Sequence, residues 1–191
     1  MNSKTKKIAG IGILTAIVVV LQLLGSFIKF GTFSVSLVLI PIVVGAAVYG
    51  VSAGAWLGLA FGVTVLASGD AGAFLAVNPA GTVITVLLKG ILAGLAAGAV
   101  YHLLEKKNNV LATVCSAIVC PVVNTGIFLI GCLVFFMPTI RDWAAAAGSE
   151  SAGTFMIVGL VGLNFVFELV INLVLSSIIV RIIKIAKKEN Q

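Results

Sequence analysis

The chain has 191 residues, of which 61% are hydrophobic and only 9% charged. Water-soluble domains carry about 25% charged residues, so this composition excludes an ordinary soluble enzyme or binding domain. The net charge of +6 is no nucleic-acid footprint either, because the basic residues flank apolar runs and no basic face interleaved with aromatics exists.

In chain order, Lys4, Lys6 and Lys7 precede an apolar run over residues 8–28. A secretory core is shorter, about 7–15 residues, and "LGSFIKFGT" offers no A-x-A cleavage pattern, so an uncleaved first helix is predicted over about 8–28. Lys29, Gly31 and Thr32 mark its end. A second helix is predicted over about 34–49, with Pro41 tolerated where neighbours satisfy the freed carbonyl. "GVSAG" makes a tight connection to a third helix over about 53–67. The stretch "SGDAGAFLAVNPAGT" (68–82) reads as irregular, and Pro79 suits the first turn of a fourth helix over about 79–104. "EKKNN" breaks the chain before a fifth helix over about 110–137. "PTIRDWAAAAGSESAG" reads as a polar loop with a short helical piece, followed by a sixth helix over about 154–183 and a basic tail.

The predicted fold is therefore an all-α integral membrane protein, a compact six-transmembrane-helix bundle forming one domain over 1–191. Lys4, Lys6, Lys7, Lys106, Lys107, Arg181, Lys184, Lys187 and Lys188 fall on one side of six spans, and only Lys29 and Arg141 on the other. Cytoplasmic loops carry the Lys/Arg excess, which places both termini in the cytoplasm. The connections near 29–33, 68–78 and 138–153 then face outward, so a solute-recognition surface is expected there.

Gly50, Gly54, Gly58 and Gly62 recur every four residues, as do Gly90, Gly94 and Gly98. That spacing puts each set on one helix face, and small residues let membrane helices approach closely. Both stripes read as packing seams. Ala9, Gly12 and Ala16 form a small flat patch on the first helix, a candidate docking face for another subunit. Cys115, Cys120 and Cys132 share one predicted helix without zinc or disulfide spacing and read as apolar filler.

Lys89 lies about ten residues, or ~15 Å, into the fourth helix from its outer end. Asn164 lies at about the same depth in the sixth, with Glu168 and Asn172 following on its face. Asn124 lies ~20 Å into the fifth. Gln22 of the first helix is nearer the outer surface. Intramembrane ionisable groups cost about 2.5–3.5 kcal/mol and face a bundle interior or a wet cavity. Lys89, Asn124, Asn164, Glu168 and Gln22 therefore read either as the lining of a solute pocket or, for Lys89 and Glu168, as a structural ion pair. Lys89 is expected to meet a solute carboxylate, with Glu168 as its partner when the pocket is empty. Asp70 and Asn78 read as solvated loop residues or as part of a lid, and Asn78 joins the candidate site.

No zinc-protease, nucleophile-elbow or phosphate-loop motif is present, so no catalysis, metal or cofactor is expected, and His102 with Glu105 lacks a second ligand pair. "KKIAGIGILTAIVVVLQLL", "LIPIVVGAAVYGVSAGAWLGLAFG" and "LLKGILAGLAAGAVYHLL" resemble the first four helices of the substrate-binding membrane subunits (S components) of energy-coupling factor vitamin transporters. The family's AxxxA-like spacing is Gly12 to Ala16 here, and Val51 stands where its "GPxxG"-type turn commonly has proline. The resemblance implies a high-affinity subunit in a prokaryotic cell membrane, surrounded by lipid. It also implies a bound vitamin, a transmembrane coupling subunit and two ATPase subunits as partners. Within the family, the residues here look closest to the pantothenate and riboflavin branches, with pantothenate leading because one carboxylate and a polar amide chain suit Lys89, Asn124 and Asn164. Phe27, Phe30, Phe74, Phe128 and Phe165 could stack on a flavin. The other classes open to this sequence are a stand-alone secondary carrier or channel and a membrane scaffold without a solute.

Overall fold

The computed structural model describes residues 3–27, 29–30, 33–34 and 37–189. Its elements are α1 (Ser3–Phe27), a two-stranded hairpin β1 (Lys29–Phe30) and β2 (Phe33–Ser34), α2 (Leu39–Tyr49), α3 (Val51–Ser68), α4 (Gly72–Val77), α5 (Pro79–Leu104), α6 (Asn109–Phe135), α7 (Met137–Ala146), α8 (Ala152–Thr154), a π-helical segment (Phe155–Val161) and α9 (Gly162–Glu189). The strands pair antiparallel, Lys29 opposite Ser34 and Phe30 opposite Phe33. Gly31 and Thr32, the expected boundary residues, lie outside the described residues, as do the side chains of Phe27 and Phe30.

Among the described residues, five helices are long and apolar enough to cross a membrane: Lys4–Ser26, Val51–Ser68, Pro79–Leu104, Asn109–Phe135 and Asn164–Ala186. The second expected helix is shorter than its apolar run. α2 has 11 residues, or ~16 Å at 1.5 Å per residue, against a hydrocarbon core of about 30 Å. Pro41 explains the start. It sits in the first turn of α2, where its missing N–H has no acceptor to lose, rather than in mid-helix. The residues of α2 from Pro41 to Ala47 are buried without interruption. The helix forms a plug touching α1, α3, α5, α6 and α9.

The sixth expected helix also starts later. A π-helical segment precedes it, and the two meet at Gly162, whose φ of +23° falls where side chains are rarely accommodated. The expected loop between 138 and 153 contains α7, and the irregular stretch 68–82 contains α4.

The glycine stripes explain the extensive packing of α3 on α5. A Cβ on Gly58 would meet the carbonyl of Gly90, and one on Gly90 would meet that of Gly58. Gly54 and Gly94 oppose each other in the same way. The two backbones are in contact, as small residues permit in lipid. Gly50 serves differently. Its φ of +101° turns α2 directly into α3, a conformation only glycine adopts readily.

Two apolar clusters result. The larger is centred on α2 and includes Leu39, Ile42, Leu57, Phe61 and Tyr101. The smaller joins Phe74, Cys132, Phe136, Ile140, Met156 and Leu160. α1 stays at the margin, with only 11% of its spanning window buried.

Candidate functional site

An open cavity lies between these clusters, with about 830 Å³ of atom-free space including its mouth. Phe61 and Val65 of α3, Phe74 of α4, and Thr82, Thr85, Val86 and Lys89 of α5 line one part. Asn124, Thr125 and Phe128 of α6, Phe136, Leu160 and Val161, and Asn164, Phe165 and Glu168 of α9 line another. Gln22 of α1 and Asp70 and Ala71 of the α3–α4 turn complete it. None of this lining comes from α2, which packs the bundle without entering the cavity.

Five of the six expected site residues thus converge: Gln22, Lys89, Asn124, Asn164 and Glu168. Their helical registers bring them there, because Lys89 follows Thr85 by four residues, as Glu168 follows Asn164. Asn78 stands apart. It is the N-cap of α5, its Oδ1 accepting from the Gly81 amide at 2.9 Å, a use that asparagine before a helix commonly has. Asn172 continues the α9 face beyond the cavity and donates from Nδ2 to the Glu168 carbonyl at 2.7 Å.

The Lys89 ammonium lies over two rings, 5.4 Å from the centroid of Phe61 and 5.7 Å from that of Phe128. The rings of α3 and α6 seat the ammonium, and Glu168 and Asp70 line the same cavity. Cation–π contacts of this kind are worth about 0.5–2 kcal/mol, and they leave the charge available to an anion.

Gln22 is 2% exposed and donates from Nε2 to Asp70 Oδ2 at 2.7 Å, tying α1 to the α3–α4 turn at the cavity. Just beyond the turn, Phe74 packs edge-on against Phe128, Phe136 and Trp143. α4 is therefore held over the cavity by an aromatic cluster. Asn124 and Glu168 are each 6% exposed. Among the described residues, the side-chain oxygens Asn124 Oδ1, Asn164 Oδ1, Thr85 Oγ1 and, beyond the cavity, Asn172 Oδ1 are buried without a hydrogen-bond partner. Such groups are rare in folded proteins and call for a partner. Thr82, Thr85, Thr125, Phe61 and Phe136 escape sequence reasoning. The signal for Thr85 was its position one turn from Lys89, and for Thr125 its place beside Asn124.

Away from the cavity, His102 bridges helices. Its Nδ1 lies 2.8 Å from Glu105 Oε1 and its Nε2 3.1 Å from the Ala46 carbonyl, joining α5 to α2. Ala9, Gly12 and Ala16 are all exposed on α1, and a Cβ on Gly12 would meet nothing within 4 Å.

The family model for the ECF transporter substrate-specific component matches residues 6–180. The chain belongs to this family. No curated protein and no solved structure matches it significantly. An ECF substrate-specific component is a multi-pass membrane subunit that binds the transported substrate. It is a transport subunit rather than an enzyme. ATP hydrolysis lies in partner subunits of the ECF module, which also contains a transmembrane T subunit. The cavity of this ECF component is lined by Lys89, by polar side chains from three helices whose buried oxygens lack a partner among the described residues, and by an aromatic wall.

Proposed function

We propose that this component captures a small water-soluble vitamin at the outer face of a prokaryotic plasma membrane and delivers it inward with the ECF module. The observation that carries the reading is the convergence of Lys89 with Thr85, Asn124 and Asn164 in the lining of one open cavity, the last three with buried side-chain oxygens that lack a partner among the described residues. In this reading the chain crosses the membrane six times, with α2 as the short passage. Both termini are cytoplasmic, supported by nine Lys/Arg on that side against two on the other.

Pantothenate is the leading substrate. Its carboxylate would meet Lys89, and its amide and hydroxyls would satisfy Asn124 and Asn164. A second reading, riboflavin, draws on a specific observation. Phe61, Phe74, Phe128, Phe136 and Phe165 all line the cavity, and such rings stack well on a flat ligand. The stand-alone carrier and scaffold readings give way to the family assignment.

The deciding experiment is purification of the chain followed by mass spectrometry of what co-purifies, with calorimetric titration of pantothenate and riboflavin. Pantothenate is expected to bind. Preferential binding of riboflavin would replace the substrate and keep the class, whereas a stable chain that binds no B vitamin would overturn the reading.

A further inference from the structure

Four threonines on helices in this molecule donate their hydroxyls to the carbonyl one turn back. Thr15 donates to Ile11, Thr64 to Ala60, Thr82 to Asn78 and Thr113 to Asn109, at 2.8–2.9 Å. This is the default for a hydroxyl in a helix. Thr85 departs from it. The residue is 5% exposed and lines the cavity, yet its Oγ1 has no partner among the described residues. The neighbouring helix packs tightly on it, since a Cβ on Gly131 of α6 would collide with Thr85 Cβ, Cγ2 and Oγ1. Gly131 therefore makes the room that this side chain occupies. Cavity lining alone does not explain the difference, because Thr82 lines the same cavity and keeps its helical hydrogen bond.

A buried hydroxyl without a partner destabilises a fold, and among the described residues the same incomplete state recurs at Asn124, Asn164 and Asn172 on α6 and α9, of which Asn124 and Asn164 line the cavity. Lys89 lies one turn further along α5 on the face of Thr85. We infer that Thr85 is a specificity-determining ligand contact. With Asn124 and Asn164 it forms an uncharged polar subsite that takes a hydroxyl or amide of the ligand, beside Lys89, which takes the acid group. The inference rests on the cavity being the solute site proposed above.

The test uses the full chain in detergent with Thr85→Val, which keeps the shape against Gly131 and removes the hydroxyl, and Thr85→Ser, which keeps the hydroxyl. Without ligand, Thr85→Val is expected to melt at or above the wild-type temperature. A fall of several degrees would mean that the hydroxyl already serves the fold, and would overturn the inference. With pantothenate and riboflavin as probes in calorimetry, Thr85→Val is expected to bind the preferred one at least about tenfold more weakly, and Thr85→Ser within about threefold of wild type. Wild-type affinity in Thr85→Val would also overturn the inference. If the wild-type chain binds neither probe, the proposed vitamin fails and the ligand-free melting comparison decides the role of Thr85 by itself.

Discussion

A lysine halfway along an apolar helix costs about 2.5–3.5 kcal/mol to insert, and Lys89 shows how that cost is met. Its ammonium is seated over Phe61 and Phe128 at the edge of a cavity. Ring faces stabilise a cation at a place that an anionic ligand in the cavity can share. Lys89→Met is therefore expected to weaken binding of an acid-bearing vitamin about 10–100-fold, the loss of a charged hydrogen bond worth about 1.5–3 kcal/mol. Calorimetric titration checks this, with Lys89→Met/Glu168→Leu as the companion that avoids stranding Glu168. Unchanged affinity in both would remove the lysine from the site. Lys89, Asn124, Asn164, Glu168 and Gln22 were legible in the sequence because polar groups interrupt apolar runs and fall within a few turns of one another in depth. Thr85 was not, because a helical threonine ordinarily satisfies itself and carries no signal in one dimension. Asn78 lies outside the cavity lining, and the structure shows it as the cap of α5 through the 2.9 Å bond from Gly81, a role that its place before Pro79 is compatible with.

At the scale of elements, the glycine stripes were legible as seams, but their partner was not. Spacing gives a face, and only the fold reveals that α3 and α5 turn these faces to each other. Gly58 and Gly90 meet backbone to backbone, so a methyl group there cannot escape by changing rotamer. Gly58→Ala is expected to destabilise the purified chain by about 1–3 kcal/mol, as overpacking does, despite the better helix propensity of alanine. Gly12→Ala, with open space around it, is expected to be neutral or slightly stabilising. Thermal melting of the two variants side by side checks the contrast, and equal melting temperatures would show that α3 and α5 separate at little cost. The limits of α2 were obscured for a different reason. A continuous apolar run has no period that marks where a helix begins, and residues 37–49 form such a run. The start at Leu39 follows from the place of Pro41 in the first turn, which hydropathy does not encode. The π-helical segment at Phe155–Val161 was likewise hidden, since its "FMIVGLV" reads as ordinary apolar helix.

For the molecule as a whole, α1 joins the cavity to the outside surface of the bundle. One of its residues, Gln22, is buried at the cavity and holds Asp70. Nearer its start, Ala9, Gly12 and Ala16 lie exposed, and little of the helix is covered by the rest of the chain. A partner in the ECF module needs a face on which two helices can approach closely, and apolar attraction alone does not pair helices in lipid. The proposed docking face meets that need, because flat small residues allow close contact without disturbing the bundle behind them. Gly12→Leu is expected to leave vitamin affinity and melting temperature within error of wild type, since the new side chain points into open space. The same substitution is expected to abolish co-purification with the T and ATPase subunits and to reduce uptake in cells at least tenfold. Pull-down with the ECF module and vitamin uptake measured in parallel with calorimetry separate the two functions. Normal assembly and uptake by Gly12→Leu would move the docking face elsewhere on the bundle, whereas loss of vitamin binding in the same variant would show that α1 shapes the cavity as well as the surface.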